Sequence, residues 1–351
     1  MSKILDVATA LPKHRFKQAE ILEISREFFG SLLAGPRRAE IFERAGVDTR
    51  CLVEPKQYYL DKNDFETKNR DYLKHALELA EACTRACLKK TGQDFPDIDH
   101  IICVTTTGLL TPSLEARLAQ ALPFKRTVKR TPLFGSGCAG GAVALARAQD
   151  YLKGHPRETV LALSVELCSL TLMPTERTMI QVVAAALFGD GASAVLLSGN
   201  DSPRKARAEI LACESMLLPD SLDIMGWDFT SAGMKLVLSK RAPELIEAHF
   251  KGAVDAFLEK HGARLSDMRR VLLHPGSGKI LDACERALGL APELTALSRR
   301  FLAENGNLSS ASLLFILRDA LEQDPPPPGS LGLMAAFGPG FACELLLIRF
   351  A

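Results

Sequence analysis

The sequence predicts an α/β fold built from two similar halves, and three observations carry that prediction. Hydrophobic residues make up 47% of the chain and aromatics only 6%, the rest of the apolar set being mostly Ala, Leu and Val. That mixture suits helices layered on buried sheets. Short, nearly continuous apolar runs alternate with longer segments of helical period, as buried strands joined by helices do. Finally, the series of strand and helix signals restarts after a polar stretch, Asn200 to Lys205, although no residue-level repeat is visible. At 351 residues the chain exceeds the usual single-domain size. Two halves, 1–205 and 206–351, are therefore expected.

Ile4 to Thr9 is a short apolar run that ends at Leu11-Pro12, a first strand followed by a turn. Gln18 to Phe29 has helical period. Ala39 to Val53 passes from a helix through Gly46 into an extended piece carrying Arg44 and Arg50. From Lys68 to Lys90 the apolar residues Leu73, Ala76, Leu77, Ala80 and Cys83 fall on one face of a long helix. Ile101 to Thr107 reads as a buried strand, with Pro112 opening the next helix to about Leu122. A loop then enters a helix near Cys138 that runs to Tyr151, and Thr159 to Val165 is a second buried strand. Phe188 to Leu197 is a Gly-rich turn running into a strand. In the second half, Ala208 to Leu218 reads as a strand, Pro243 to Lys260 as a helix and Val271 to Leu273 as a strand ending at His274. Helices follow at Ile280 to Leu288 and Leu308 to Leu321, separated from the last strands by the stiff surface loop Asp324 to Gly329. Leu331 to Phe337 and Phe341 to Phe350 close the chain around Gly338-Pro339-Gly340.

Charge and cysteine usage exclude several classes of function. Formal net charge is +1, so nothing global points to nucleic acid or to an anionic membrane surface. No window reaches the roughly eighteen apolar residues that a spanning helix needs, and the first residues lack the apolar core of a signal peptide. The nine cysteines show no recurring spacing, and an odd number cannot all pair within the chain. Reduced thiols in the cytoplasm are the expectation. Cys83 and Cys87 stand four apart, but no second Cys or His pair accompanies them at metal-ligand spacing, so no metal is expected.

Three residues share one setting, a Gly-bracketed loop between elements, where catalytic groups gather. Cys138 lies in Phe134-Gly135-Ser136-Gly137-Cys138-Ala139-Gly140-Gly141, at a helix start whose unpaired N–H groups and dipole favour a thiolate. His274 ends an apolar strand ahead of Pro-Gly-Ser-Gly, and so projects from a strand's C-terminal edge, where α/β folds place ligands. Asn307 follows Asn305-Gly306. Each also has a plainer interpretation: a packing cysteine, a capping histidine, and an asparagine that caps an ordinary helix.

Taken together, these residues match a known pattern over nearly the whole chain. GSGCAGGAVALARA, ALFGDGASAV, LLHPGSGKILDA, ENGNLSSASLLFIL and AAFGPGFACELLL stand in the order and spacing of type III polyketide synthases, the chalcone synthase-like branch of the thiolase superfamily. The segment MGWDFTSAGMKLVLSKRAPELI resembles the bacterial alkylpyrone and alkylresorcinol synthases of that family. The resemblance implies a thiolase-like fold, two duplicated α/β halves in a layered αβαβα core, and a homodimer. It makes Cys138 the nucleophile that carries the starter and growing chain, with His274 and Asn307 holding the thioester oxygen. A cysteine beside a histidine can exist partly as a thiolate–imidazolium pair at neutral pH. Two fixed N–H donors stabilise the enolate left when a malonyl thioester loses CO2.

By the same resemblance Phe188 separates a CoA tunnel from the elongation pocket. Leu236 stands where plant members carry a second phenylalanine, an exchange that loosens this gate and favours a medium or long fatty acyl starter. Thr106, Thr107, Cys168, Thr171, Ser309 and Pro339 align with the pocket wall, although buried strand positions would suit the same residue types. Trp227 aligns near a position that is glycine in plant members, and Gly226 is the alternative equivalent. Thr111 stands where plant members carry a methionine that crosses the dimer interface. Arg44, Arg50 and Lys279 are the basic residues nearest the CoA tunnel, against a background in which surface charge is common. The substrates are acyl-CoA and malonyl-CoA, a carrier protein is an alternative acyl donor, and no redox cofactor is needed. Two other functions stay open at this level: a ketoacyl-carrier-protein synthase that condenses once, and a catalytically silent scaffold of the same fold.

Overall fold

The computed structural model of the chain describes residues 1–61, 63–173 and 176–351. Among these residues lie thirteen strands and eleven α-helices. The first half runs β1 (Ser2–Ala10), β2 (His14–Lys17), α1 (Gln18–Phe29), α2 (Pro36–Glu43), β3 (Thr49–Leu52), α3 (Lys56–Leu60), α4 (Phe65–Thr91), β4 (His100–Val104), α5 (Leu114–Ala121), β5 (Lys129–Leu133), α6 (Gly140–Gly154), β6 (Thr159–Leu167), α7 (Met179–Leu187) and β7 (Asp190–Gly199). The second half runs β8 (Ala208–Leu217), β9 (Met225–Thr230), β10 (Gly233–Leu238), α8 (Ala242–Lys260), β11 (Met268–Leu273), α9 (Gly278–Leu288), α10 (Pro292–Asn305), α11 (Ser312–Glu322), β12 (Leu331–Gly338) and β13 (Ala342–Phe350).

Nine strands pair in the order β11-β12-β13-β8-β1-β7-β6-β4-β5. The two halves repeat one pairing scheme. In the first, β4 runs parallel to β6, β6 antiparallel to β7 and β7 antiparallel to β1. In the second, β11 runs parallel to β12, β12 antiparallel to β13 and β13 antiparallel to β8. The series meet where β1 pairs with β8 over Ser2↔Ile210 to Ile4↔Ala208. The expected duplication is thus visible in strand pairing where residue identity hides it. Within the nine-stranded sheet only the first half carries a further strand, β5, among the described residues.

Side-chain alternation along the strands builds the layers. Ile101 and Cys103 of β4 face a cluster with Ala76 and Ala80 of α4 and Leu114 and Leu118 of α5. Ile102 and Val104 face the opposite way, into a central cluster with α6 and α11. From the other half-sheet Leu272, Met334 and Leu346 enter the same central cluster, while Val271, Leu333 and Leu345 face Ile246, Phe250 and Leu281 of α8 and α9. The result is the five-layer αβαβα arrangement. Because α6 and α11 occupy corresponding places in the two halves, their N-termini meet at the middle of the molecule.

Several expected boundaries shift for local reasons. Pro112 does not open α5: it follows Thr111 in a cis peptide, and the helix begins at Leu114 after Ser113. Asp64 caps α4 by accepting from Thr67 N–H at 2.9 Å, so that helix starts before Lys68. The expected helix from Leu308 begins as a tight turn, Ser309–Ala311, and becomes α-helical at Ser312. The segment around Trp227 forms the hairpin β9–β10, in which Trp227 pairs with Leu236. No described helix is long and apolar enough to cross a membrane.

Candidate active site

The convergence of α6 and α11 places Cys138 and Asn307 side by side. Cys138 occupies a single turn, Gly137–Ala139, that runs directly into α6. Gly137 has φ +47°, and a Cβ there would lie 2.5 Å from Pro339 Cδ, so only glycine lets the turn rest against Pro339. At Gly141 a Cβ would stand 2.3 Å from the Ser310 carbonyl oxygen. The start of α6 therefore presses onto the Ser309–Ala311 turn, and the Cys138 thiol donates to Ser309 Oγ at 3.7 Å. Ser309 itself adopts φ +49°, a conformation seldom taken by residues with a side chain.

Asn307 is fixed at four points. Its backbone N–H donates to Leu187 O at 2.8 Å, its carbonyl accepts from Gly189 N–H at 3.0 Å, its Oδ1 accepts from Ser309 N–H at 2.8 Å, and its Nδ2 donates to Gly276 O at 3.1 Å. The helix-capping role that the sequence allows is not seen: the Oδ1–Ser309 bond closes a local turn, and α11 starts only at Ser312 after Ala311. Nδ2 carries two protons, and the Asn307 amide lies near enough to Cys138 to favour its thiolate. Gly276, in turn, belongs to the loop after His274, whose N–H extends the β11–β12 ladder to Ala335 O at 2.8 Å. His274 is buried, and neither ring nitrogen has a protein partner among the described residues. A buried, unpaired imidazole costs about 1–3 kcal/mol. A bound group with an oxygen to share would recover that cost.

Burial sets the protonation of both groups. It pushes the Cys138 thiol up to about 11, with hydrogen bonds from Ser309 and Asn307 pulling down and the Glu166 charge pushing further up. It lowers His274 to about 3. Each group alone is therefore neutral. The thiolate–imidazolium pair expected from sequence must be made against desolvation, by a proton passing from sulfur to imidazole, with the helix start at Cys138 favouring the anion.

Glu166, near the end of β6, went unnoticed in the sequence. It is completely buried and accepts from Thr106 N–H (3.1 Å), Thr106 Oγ1 (3.0 Å), Thr107 Oγ1 (2.8 Å) and Ser310 Oγ, with Ser309 Oγ at 3.5 Å. Burial raises its pKa, and the hydroxyl and amide donors pull it back. It organises three of the expected pocket residues, Thr106, Thr107 and Ser309. The only prior sign was a carboxylate ending an otherwise apolar strand.

The remaining expected residues fall into distinct places. Cys168 and Phe188 line an apolar cavity of about 40 Å³ with Phe28, Phe29 and Leu52. Thr107 and Thr171 line a larger cavity of about 210 Å³ that extends to Phe65, Lys68 and Met234. Phe188 forms a β-bridge with Asn307. The β9–β10 hairpin lies over the site, β10 against α7 and the Cys168–Thr171 turn and β9 against Pro339–Phe341; Leu236 is buried there and Trp227 partly exposed. Arg44 and Lys279 are both exposed, and Gly278 approaches Ala45, which brings the two cations to one surface. Arg50 does not join them. It is 1% exposed and donates to backbone carbonyls at the end of α7, so it is not available to a phosphate; its expected role at the CoA tunnel is withdrawn. Among the described residues no three His, Cys, Asp or Glu side chains are grouped to hold a metal.

A cysteine at a helix start bonded to the Ser309 turn, a fixed amide, and a buried unpaired imidazole on the loop that this amide contacts, in a duplicated αβαβα fold, suit an acyl-transferring condensing enzyme. Comparison with known proteins makes the assignment specific. Residues 59–202 match the N-terminal domain and residues 209–351 the C-terminal domain of chalcone and stilbene synthases. The chain therefore belongs to the chalcone synthase-like, type III polyketide synthase family. Among curated relatives, a putative chalcone synthase of Bacillus subtilis is 38% identical over 361 residues, covering 100% of this chain and 99% of the relative. A 1,3,6,8-tetrahydroxynaphthalene synthase of Streptomyces peucetius is 39% identical, covering 99% and 93%. The crystal structure of 1,3,6,8-tetrahydroxynaphthalene synthase from Streptomyces coelicolor superposes with a TM-score of 0.94 at 30% identity, covering 99% of each chain.

Proposed function

We propose that the protein loads a medium or long fatty acyl group from CoA onto Cys138, extends it with malonyl-CoA, and cyclises the product to an alkylpyrone or alkylresorcinol. The observation that carries the chemistry is the buried imidazole of His274, unpartnered among the described residues, on the loop that Asn307 Nδ2 ties down at Gly276 O, while the neighbouring Ser309 accepts from the Cys138 thiol. In loading, the Cys138 sulfur attacks the thioester carbonyl, its proton passes to His274, and CoA leaves as the thiol after taking a proton back. In extension, malonyl-CoA loses CO2, and the electron pair left behind is held as an enolate whose oxygen accepts from His274 and Asn307. The enolate carbon then attacks the acyl-Cys138 thioester and releases the Cys138 sulfur. No electron acceptor or metal enters this balance. Removing one enolate donor is expected to cost about 3 kcal/mol of barrier.

The fatty acyl preference is supported by Leu236, buried in the β9–β10 hairpin, in place of a larger ring. Arg44 and Lys279, on one exposed surface, are the cations proposed to meet CoA phosphates. A homodimer is the proposed assembly, and the outer edge of β5 is left unpaired by this chain's own sheet. A carrier protein in place of CoA would use the same nucleophile. Purified protein supplied with malonyl-CoA and acyl-CoAs of graded length tests the proposal. Fatty acyl pyrones or resorcinols containing several two-carbon units are expected. A preference for small aromatic starters would overturn the starter assignment, and products with a single extension would identify a one-step condensing enzyme.

A further inference from the structure

We propose that Arg50 is a positioning residue for the Asn307 donor, acting through the C-terminal turn of α7; the proposal rests on the role given to Asn307 above. Arg50 is 1% exposed and makes no salt bridge among the described residues, although the Asp190 carboxylate is near enough to favour its charge. A buried cation with no directly bonded counter-ion is destabilising unless fixed dipoles replace the water it has lost. The end of α7 supplies them, because the last carbonyls of a helix lack intrahelical donors and carry the negative end of its dipole.

Every carbonyl of this turn is matched. Ala184 O accepts from Phe188 N–H at 2.9 Å. Ala185 O and Phe188 O accept from Arg50 Nη1 at 3.0 and 2.9 Å. Ala186 O accepts from Arg50 Nη2 at 2.8 Å and from Gln18 Nε2 at 3.0 Å, while Gln18 Oε1 accepts the other Nη2 proton. The carbonyl left over, Leu187 O, accepts from Asn307 N–H at 2.8 Å, and Gly189 N–H returns a bond to Asn307 O at 3.0 Å. Asn307 is thus pinned on both backbone sides to a turn that the Arg50 guanidinium closes. Cys138 and His274 are held by other elements, the Gly137 turn against Pro339 and the β11–β12 ladder.

This division predicts a selective defect. Loss of Arg50 leaves Ala185 O and Phe188 O without a donor and Ala186 O with Gln18 alone, which lets the turn move, and a displacement of about 1 Å at a reacting group can cost on the order of a hundredfold. The test measures two rates on the same protein: CO2 release from malonyl-CoA, and acyl-enzyme formation on Cys138 from a fatty acyl-CoA, followed by intact mass. In Arg50→Met, CO2 release should fall by on the order of a hundredfold while loading stays within roughly threefold of wild type. Arg50→Lys, which keeps the charge and part of the donor set, should restore part of the lost CO2 release. In an Asn307→Ala background Arg50→Lys should cost no further CO2 release, because both act on one donor. Equal losses in both rates, or additive losses in the double variant, would overturn the proposal. Should Arg50→Met fail to fold, Gln18→Ala removes one partner of the guanidinium and one donor to Ala186 O, and must produce a smaller loss of the same selectivity; proportional losses there would also overturn it. Wild-type protein that releases no CO2 from malonyl-CoA would overturn this role and the proposed function together, whereas release insensitive to Arg50 would count against the positioning role alone.

Discussion

Gly137→Ala probes the geometry under the nucleophile. A Cβ at this position would stand 2.5 Å from Pro339 Cδ and 2.7 Å from Pro339 Cγ, whereas ordinary contact begins near 3.4 Å. The Cys138 turn and the Pro339 loop must therefore separate by about 1 Å, and Pro339 has no flexible side chain with which to yield. The backbone adds to the cost, since φ +47° is strained for alanine by about 1–2 kcal/mol. The combined destabilisation should reach about 2–3 kcal/mol. A shift of this size in the sulfur should slow acyl loading on the order of a hundredfold. Asn307 and His274 are anchored elsewhere, so CO2 release from malonyl-CoA should change far less. Loading by intact mass and urea denaturation measure the two effects. Unchanged loading with unchanged stability would refute the claim that Pro339 fixes the Cys138 turn.

Three further outcomes are expected. Asn307→Ala should lower CO2 release by roughly 10²–10³-fold, and should destabilise the fold by about 2 kcal/mol because Gly276 O and Ser309 N–H lose their partner; a loss of stability without the rate effect would contradict its catalytic role. Burial raises the Asp190 carboxyl from 3.8 to about 6, with Ser169 and Val53 donors pulling back. Its folded pKa lies above the unfolded one, so its stabilisation is full below pH 3.8 and is lost as pH rises through about 6; wild type should lose up to roughly 3 kcal/mol relative to Asp190→Asn between pH 4 and 7, and parallel stability curves would contradict this. Leu236→Phe should shift starter preference towards shorter acyl chains in competition assays, and an unchanged chain-length profile would remove Leu236 from the pocket wall.

Much of the site was legible because its chemistry needs particular backbone. Cys138, His274 and Asn307 each lie where an apolar element meets a Gly-bracketed loop, and the structure brings the three loops together. The layers were legible for a similar reason, since strands buried on both faces leave continuous apolar runs such as Ile101 to Val104. Glu166 and Arg50 were missed or misplaced because a sequence shows charge but not burial. Arg50 lies 135 residues from Ala185 along the chain, and only folding reveals that a helix end is its partner. Trp227 and Leu236 belong to a hairpin whose polar residues mask the strand pattern, which left their positions to resemblance alone.

The central claim is that Cys138 carries the chain while His274 and Asn307 act on malonyl-CoA. It is tested most directly by comparing wild type with Cys138→Ala in the presence of a fatty acyl-CoA and malonyl-CoA. Wild type is expected to carry an acyl adduct on the Cys138 peptide and to give multiply extended products. For Cys138→Ala no adduct and no extended product are expected, with CO2 release from malonyl-CoA retained. Extended product from Cys138→Ala, or an adduct on another cysteine in wild type, would contradict the claim.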